Sequence, residues 1–290
     1  MLIEPSPKIL SEKNRVGVVC RPERIEIERF ANRLVANLLK RGLQVQVDRG
    51  SCRVEDARVD HVSIEDMDVD FIITVGGDGT ILYTLQRLRD RRTPLYCVNR
   101  GTVGFLTESS TTTAISALDR ILASDCVVEH CVNLASGSGE MSFPDALNEV
   151  YITSKIPGRL LTFRIRINGN RVGYGRADGC MLSTPCGSTA YALAAGGSIL
   201  TPGVNGFILV PVCPPRFELK PMVIPDSSTV ELDLVKPGAS GIVIVDGQSV
   251  HEVTPGSTVW LRKSDSFTRF IRLHDNYFER LNTRVVPRTL

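Results

Sequence analysis

The sequence predicts a chain of two parts, an α/β domain built on a parallel sheet followed by an all-β domain. Three observations lead there. Apolar strand-like runs alternate with helical patterns through the first 125 residues. From about Val127 that rhythm gives way to short runs with period-two alternation, each bounded by Gly, Pro, Ser or Asp. At 290 residues, the chain also exceeds an average single domain.

Taken in order, residues 16–20 read as a first buried strand. Within 25–40, Ile27, Phe30, Leu34, Val35 and Leu38 recur at helical spacing, and Arg41-Gly42 closes the helix with a basic last turn and a glycine. Residues 43–47 give a second strand, and strand, helix, strand in that register implies a parallel pair. The polar stretch 49–68 has no firm element. A strand over 71–75 then runs into Gly76-Gly77-Asp78-Gly79-Thr80, with a helix-like segment over 81–88 behind it. A further strand over 94–98 leads into Asn99-Arg100-Gly101-Thr102-Val103-Gly104-Phe105-Leu106-Thr107. Ala114, Leu118, Ile121 and Leu122 mark a helix within 111–123.

In the second part, Leu161, Phe163, Ile165 and Ile167 alternate with polar neighbours, as a half-buried strand does, and Asn168-Gly169-Asn170 turns the chain into a partner strand over 171–176. Strands follow over 207–212, 229–235, 241–245, 258–262 and 267–273, which together read as a sandwich of antiparallel sheets. The one helical interruption is small and alanine-rich, over 189–195. Phe278, Leu281 and Val285 are spaced helically in the tail, which is expected to dock back on the first domain. The expected boundaries are 1–125 for the α/β domain, 126–274 for the β-sandwich and 275–290 for the returning tail.

Composition narrows the class. Hydrophobic residues make up 42% and charged residues 23%, as in an ordinary soluble protein, and a net charge of +2 calls for neither a nucleic-acid nor a membrane partner. Eight cysteines are scattered without a C-x-x-C pair, and several lie inside apolar runs, so buried reduced thiols are expected. Residues 1–15 carry Glu4 and Glu12 and no apolar core of the kind a signal peptide has. No apolar run reaches bilayer length. The four histidines share no metal spacing, and there is no G-x-S-x-G elbow and no Walker A loop. The expectation is a cytoplasmic protein.

The chemistry concentrates in four places. Glycines Gly76, Gly77 and Gly79 at a strand–helix turn let backbone N–H groups approach an anion, and the helix start adds its positive dipole end. Asp78, in the middle of that loop, would repel phosphate unless it serves a metal ion or takes a proton from a hydroxyl attacking that phosphate; the plainer reading is a helix N-cap. Asn148-Glu149 ends a mixed run and by itself reads as a solvent-facing pair at a strand end. In 176–191, a strand, a Pro-Cys-Gly turn and the hydroxyls of Ser188 and Thr189 offer either a capped helix or a ligand-facing helix start. Asp178 is suited to a ribose hydroxyl or an amide there, and Arg176 to a phosphate. Asp246-Gly247-Gln248 reads as a tight hairpin turn.

Taken together these segments resemble the NAD kinase family, the ATP/polyphosphate-NAD kinases that convert NAD to NADP. The resemblance rests on Gly76–Thr80, Gly101-x-x-Gly-Phe105, Asn148-Glu149, Asp178-Gly179, Thr184-Pro-Cys-Gly-Ser-Thr-Ala-Tyr191, Gly196-Gly197, Asp246-Gly247-Gln248 and Phe278-x-x-Leu281, in that order. It implies an N-terminal domain like those of phosphofructokinases and diacylglycerol kinases, a C-terminal β-sandwich that binds NAD, and a homodimer or homotetramer. It implies ATP or polyphosphate as phosphoryl donor and Mg2+ or another divalent cation on the donor phosphates. Asp78 would orient or deprotonate the 2′-hydroxyl of the adenosine ribose, with Gly76, Gly77, Gly79 and Thr80 near the phosphates. Asn148 and Glu149 would grip the ribose, Phe105 would lie against the adenine, and Thr189, Ala190 and Tyr191 would line its pocket. Arg176 and Asp178 would bind the nicotinamide end, and Asp246 and Gln248 belong to the same implied binding set. Two departures stand out: Cys186 where the family commonly has threonine or serine, and Pro214-Pro215-Arg216-Phe217-Glu218-Leu219-Lys220-Pro221 where it commonly has Pro-His and Arg-Pro. The Gly-Gly-Asp-Gly-Thr loop alone is shared with diacylglycerol-type lipid kinases, and a non-catalytic NAD(H) sensor would suit the absent histidine. Both remain as alternatives at this point.

Overall fold

The computed structural model describes all residues except 1, 6–8, 12–13, 22–24, 52, 101–103, 216–219 and 286–290. The chain forms two compact units. The first joins Leu2–His130 to Thr268–Leu290, and the second comprises Cys131–Phe267. The chain leaves the first unit after residue 130 and re-enters it at 268, seven residues before the expected start of the tail.

The chain opens with strands β1 (Leu2–Pro5) and β2 (Arg15–Cys20), helix α1 (Ile25–Lys40), then β3 (Gln44–Asp48), β4 (Asp60–Val62) and β5 (Phe71–Val75). It continues through α2 (Asp78–Arg87), β6 (Leu95–Asn99), β7 (Ser109–Ser110), α3 (Ala114–Leu122) and β8 (Val127–Ser138). Next come β9 (Met141–Ser142), β10 (Glu149–Ser154), β11 (Leu161–Ile167), β12 (Asn170–Ala177) and β13 (Gly179–Ser183), then the one-turn α4 (Tyr191–Ala194). Strands β14 (Gly206–Val212), β15 (Met222–Pro225), β16 (Val230–Leu234), β17 (Gly241–Val245), β18 (Ser249–Val253) and β19 (Thr258–Arg272) precede the closing helix α5 (Tyr277–Arg284).

In the first unit β6, β5, β2, β3 and β4 lie side by side and parallel, and the end of β19 joins β6 in parallel at Phe270↔Leu95. Parallel strands need both faces covered, and their sequences are apolar on both. Phe71, Ile73, Val16 and Val18 pack with Phe30, Leu34 and Leu38 of α1 and with Leu118 and Ile121 of α3. Val19 and Ile72 face the other way, onto Ile64 and Leu88. Strand order reverses at β2, between β5 and β3, and open α/β sheets gather their ligands beyond the strand ends at such a point. The glycine loop leaves the carboxyl end of β5 there. In the stretch 49–68, where no firm element is expected, β4 pairs with β3 at the sheet edge and residues Ile64–Asp66 form a 3-10 turn.

The second unit has two antiparallel sheets. One contains β12, β11, β16 and the unit's part of β19 in that order; the other runs β15, β14, β13, β10, β17, β18. Phe163, Ile165, Leu232 and Leu261 from the first pack with Val150, Leu182, Leu209 and Val243 from the second. This is the predicted sandwich. Two expected elements change. The strands expected over 258–262 and 267–273 are one strand, because the polar stretch between them is satisfied in place. Ser264 and Ser266 donate to Asp145 Oδ2 at 2.5 and 2.6 Å, and Asn133 Nδ2 reaches Ser266 Oγ at 3.1 Å. The helix expected over 189–195 is broken: Gly187–Thr189 make a 3-10 turn, Ala190 leaves the helical region (φ −103, ψ −130), and α4 adds a single turn.

Among the described residues no helix is long and apolar enough to cross a membrane. The seven described cysteines are free, and all but Cys213 are buried.

Candidate functional site

The first group of candidate residues lies in the unit that carries the glycine loop. β5 is buried at all five positions, so its end is fixed when the chain turns. Gly76 donates its N–H to Val98 O at 2.9 Å, and a Cβ on Gly76 would overlap the Thr80 side chain. Gly77 and Gly79 have open space where a side chain would be, and among the described residues nothing lies within 4 Å of a Cβ built there. Gly77, not Asp78, is the N-cap of α2. The N-cap reading of Asp78 is therefore wrong. Its carboxylate turns away from its own helix and accepts the N–H groups of Phe105 (2.8 Å) and Leu106 (3.1 Å). Burial raises its pKa, while those two N–H groups and the charges of Arg284 and Arg272 pull it back. Gly104 lies so close that a Cβ there would overlap the Asp78 carboxylate. Gly104→Ala is therefore expected to displace Asp78 and lower kcat about tenfold or more while costing about 1–3 kcal/mol, read by steady-state kinetics and chemical denaturation. Thr80 is buried and Phe105 half-buried, its ring edge-on to Tyr277 at 5.8 Å. Gly101 lies outside the described residues.

The loop around Phe105 is held from its carbonyl side by three arginines. Arg284 Nη1 donates to the carbonyls of Gly104 (2.9 Å), Phe105 (3.2 Å) and Thr107 (2.6 Å). Arg272, only 1% exposed, donates to Leu106 O at 2.8 Å and to Glu129 Oε2 at 2.5 Å. Arg280 reaches Phe105 O at 3.5 Å and Glu129 Oε1 at 2.8 Å. Burial alone would push the Glu129 carboxyl up, but Arg272 and Arg280 outweigh it and hold the group below its ordinary range. Glu108 completes the network by accepting from Leu273 N at 2.9 Å and pairing with Arg272 at 3.4 Å. Sequence reading missed these arginines. The helical spacing of Phe278, Leu281 and Val285 points to an apolar face, whereas Phe278 is 61% exposed and α5 buries Tyr277 and Arg280. The legible signal is the i, i+4 pair Arg280 and Arg284 in a helix that has a short apolar face.

The second group lies in the sandwich unit. Asn148 and Glu149 are both 8% exposed, contrary to the solvent-facing reading. The reason is Asp246, whose carboxylate accepts the N–H groups of Leu147 (2.8 Å), Asn148 (2.8 Å) and Glu149 (3.1 Å). Asp246 and Gly247 both have positive φ (51° and 65°), the signature of a type I′ hairpin, and that turn aims the carboxylate at the loop. Thr184 and Ser183 close the other side through Thr184 N to Asn148 O at 2.8 Å and Ser183 Oγ to Asn148 O at 3.1 Å. Among the described residues Glu149 Oε2 is buried without a hydrogen-bond partner. Burial, and then the charge of Asp246, pushes the Glu149 carboxyl up to about 8. Replacing Asp246 by alanine leaves three buried N–H donors unpaired and is expected to cost about 3–5 kcal/mol in denaturant unfolding.

The remaining expected residues of this unit lie beyond the two ends of β13 and on the hairpin between β17 and β18. Ser188 is fully buried and spent internally, donating to Pro185 O at 2.6 Å and accepting Leu200 N at 3.0 Å. Thr189 and Ala190 are half-buried, and Tyr191 is 43% exposed with its ring edge-on to Tyr151 at 5.4 Å. Arg176 is exposed, Asp178 half-buried and Gln248 exposed. Glu149 pairs with Ser183 and Thr153 with Gly179, so Asp178 sits at the far end of β13 from the Asn148-Glu149 loop, about 15 Å away along the strand. Cys186 is buried. Of the Pro214–Pro221 departure, residues 216–219 lie outside the described residues.

Comparison with known proteins agrees across both units. The ATP-NAD kinase N-terminal domain family matches residues 16–126, and the ATP-NAD kinase C-terminal domain family matches residues 147–273. The chain is 34% identical over 273 residues to a protein named NAD kinase from Methanothermobacter thermautotrophicus, covering 94% of this chain and 96% of that one. It is 36% identical over 277 residues to one from Thermococcus gammatolerans, covering 94% and 99%. An NAD kinase from Archaeoglobus fulgidus, solved in complex with ATP, matches with a TM-score of 0.78 at 30% identity, covering 93% of this chain and 98% of that one. Yeast NADH kinase, solved with NADH, shares the fold with a TM-score of 0.83 at 22% identity over 92% of this chain and 86% of that one.

Proposed function

Because the chain belongs to the NAD kinase family, we propose that it transfers the terminal phosphoryl group of ATP to the 2′-hydroxyl of the adenosine ribose of NAD, giving NADP. The observation that carries the reading is the Asp78 carboxylate, anchored by two backbone N–H groups beside a glycine loop where, among the described residues, nothing packs against Gly77 and Gly79. Phosphoryl transfer asks chiefly for positioning and for stabilisation of charge. A ribose hydroxyl is a weak nucleophile at neutral pH, and a fixed carboxylate that accepts its proton makes it a better one. Burial raises the basicity of Asp78, while the N–H groups and nearby arginines oppose its protonation. Gly76, Gly77, Gly79 and Thr80 take the donor phosphates at the start of α2.

In the sandwich unit Glu149 supplies a buried oxygen with no partner among the described residues, which suits a ribose hydroxyl as donor. Asn148 lies beside it, and Asp246 acts by holding their backbone. Thr189, Ala190 and Tyr191 serve the adenine, while Arg176 and Asp178 serve the nicotinamide end. Asp178 just before β13 and Thr189–Tyr191 beyond its other end suit an extended dinucleotide better than a compact ligand. Gln248 is exposed on the hairpin that presents Asp246 and completes this set.

Among the described residues no group of three or more His, Cys, Asp or Glu side chains is arranged to hold a metal ion. A divalent cation would then be carried on the phosphates of ATP, whose charge it would neutralise. We place the enzyme in the cytoplasm, in keeping with its free buried thiols, and as a homodimer or homotetramer. The test is NADP formation by the purified chain with Mg2+, comparing ATP with polyphosphate and NAD with NADH. Turnover with ATP and NAD supports the reading; tight NAD binding without turnover would replace it by the sensor.

A further inference from the structure

Arg284 makes three hydrogen bonds in the first unit, and each falls on the loop that holds Asp78. Two of them are special in their placement. The carbonyl of Gly104 and the N–H of Phe105 belong to one peptide group; so do the carbonyl of Phe105 and the N–H of Leu106. Both carbonyls accept from Arg284 Nη1, at 2.9 and 3.2 Å, and both N–H groups donate to Asp78, at 2.8 and 3.1 Å. Two peptide groups thus stand in line between a guanidinium and a carboxylate. Hydrogen bonds arranged head to tail polarise one another, so a cation on the carbonyl side strengthens the donation to the anion.

We propose that Arg284 is a positioning residue for phosphoryl transfer, acting on Asp78 through the Gly104–Phe105 and Phe105–Leu106 peptide groups. The inference rests on the NAD kinase reading above and adds to it a role for the closing helix. Charge balance supports it. Arg272, Arg280 and Arg284 face the carboxylates of Glu108 and Glu129, which leaves one positive charge over in the network. Among the described residues Arg284 has no carboxylate within ion-pair distance, and the ionised form of Asp78 supplies the balance. The charged groups that act on Asp78 are Arg284 and Arg272, with the buried Cys97 thiol also in its field. Arg272 is enclosed by two glutamates and serves the core, whereas Arg284 is only half-buried and can be changed with less damage.

The experiment compares the full chain with Arg284→Gln, Arg284→Lys, Asp78→Asn and the Asp78→Asn/Arg284→Gln double variant. NADP formation is followed across pH, and folding is checked by thermal unfolding. For Arg284→Gln the expected result is a kcat lower by about 10- to 100-fold with the KM for NAD within about threefold. Removing a cation that favours the ionised carboxylate also moves the acid limb of kcat to higher pH, by about one unit. Arg284→Lys keeps the charge and restores the position of that limb, but with fewer donors it recovers only part of kcat. In the Asp78→Asn background the Arg284 change is expected to add no further loss, because the residues act as a unit.

A folded Arg284→Gln with wild-type kcat and an unmoved acid limb would overturn the proposal. So would a lowered melting temperature as its only effect, or a full further loss in the double variant. If Arg284→Gln does not fold, Arg284→Lys decides: reduced kcat with the limb in place supports the role, and unchanged kcat overturns it. Absence of NADP formation by the unaltered chain, or full activity in Asp78→Asn, would instead strike the underlying functional reading.

Discussion

Asp78→Asn is expected to lower kcat for NADP formation by about 10³-fold or more while leaving the KM for NAD within a few-fold. The substitution keeps the shape of the side chain and removes the proton acceptor. General-base assistance is typically worth about 10²–10⁴-fold, and the value here belongs at the upper end because the group is fixed as well as basic. Stability moves little. The amide leaves one of the Phe105 and Leu106 N–H groups poorly paired, a loss of about 1–3 kcal/mol, but it also relieves the desolvation that now opposes the buried charge. Thermal unfolding and steady-state kinetics on one preparation separate the two effects. The acid limb of kcat, which for a carboxylate raised by burial lies above the ordinary aspartate range, should disappear along with the activity. A folded Asp78→Asn with full activity would remove the residue from the mechanism.

The second large effect belongs to Glu149. Its carboxyl is pushed up to about 8 from an ordinary value of 4.5, so the folded chain binds the proton more tightly than the unfolded chain does. Folding stability therefore falls as pH rises through the interval between those two values, and the whole cost is present above about 8. Glu149→Gln abolishes that dependence. The variant should match the natural chain near pH 4 and become progressively more stable than it toward pH 9, by a few kcal/mol at most, measured as a melting-temperature difference across pH. At the same time it should bind NAD more weakly, by about tenfold or more, because a buried acceptor oriented for a hydroxyl is replaced by an amide. Gain in stability with loss of binding is the pattern of a residue kept for function. A pH-independent difference in melting temperature would mean that the carboxyl is already ionised in the folded chain.

Regular apolar patterns made much of the fold readable. The strand 71–75, the helix 25–40 and the hairpin around Asn168-Gly169-Asn170 each carry the period of their own structure, and each is found in place. What escaped was polar and buried. Nothing in the run 263–266 reads as strand, because its serines are satisfied by Asp145, a partner some 120 residues earlier. The pair Asn148-Glu149 looks exposed in sequence, because the carboxylate that draws its backbone inward belongs to Asp246. The segment 189–195 has the alanines of a helix, yet Ser188 is bound to Pro185 and Leu200, and the chain bends at Ala190. Asp78 is legible as a reactive carboxylate from its glycines, but its two anchoring N–H groups lie in a loop 27 and 28 residues on. The arginines are hardest, since a basic residue in a terminal helix ordinarily reads as solvent-facing and here closes a buried charge network.

The order in which a ribosome delivers these parts has a consequence of its own. The glycine loop emerges early, yet its unit is completed only by Thr268–Leu290. Phe270 and Ile271 fill its core, Arg272 and Arg280 neutralise Glu129, and Arg284 grasps the loop that holds Asp78. The sandwich unit, by contrast, is one continuous stretch and can close its sheets as soon as residue 267 has been made. A nascent chain can thus close its middle first, and the loop whose N–H groups anchor Asp78 is braced by Arg284 only after the sandwich has been made. Fragments that end before the closing helix carry the glycine motif and the N–H groups that hold its aspartate, and lack the arginines that brace those N–H groups from behind.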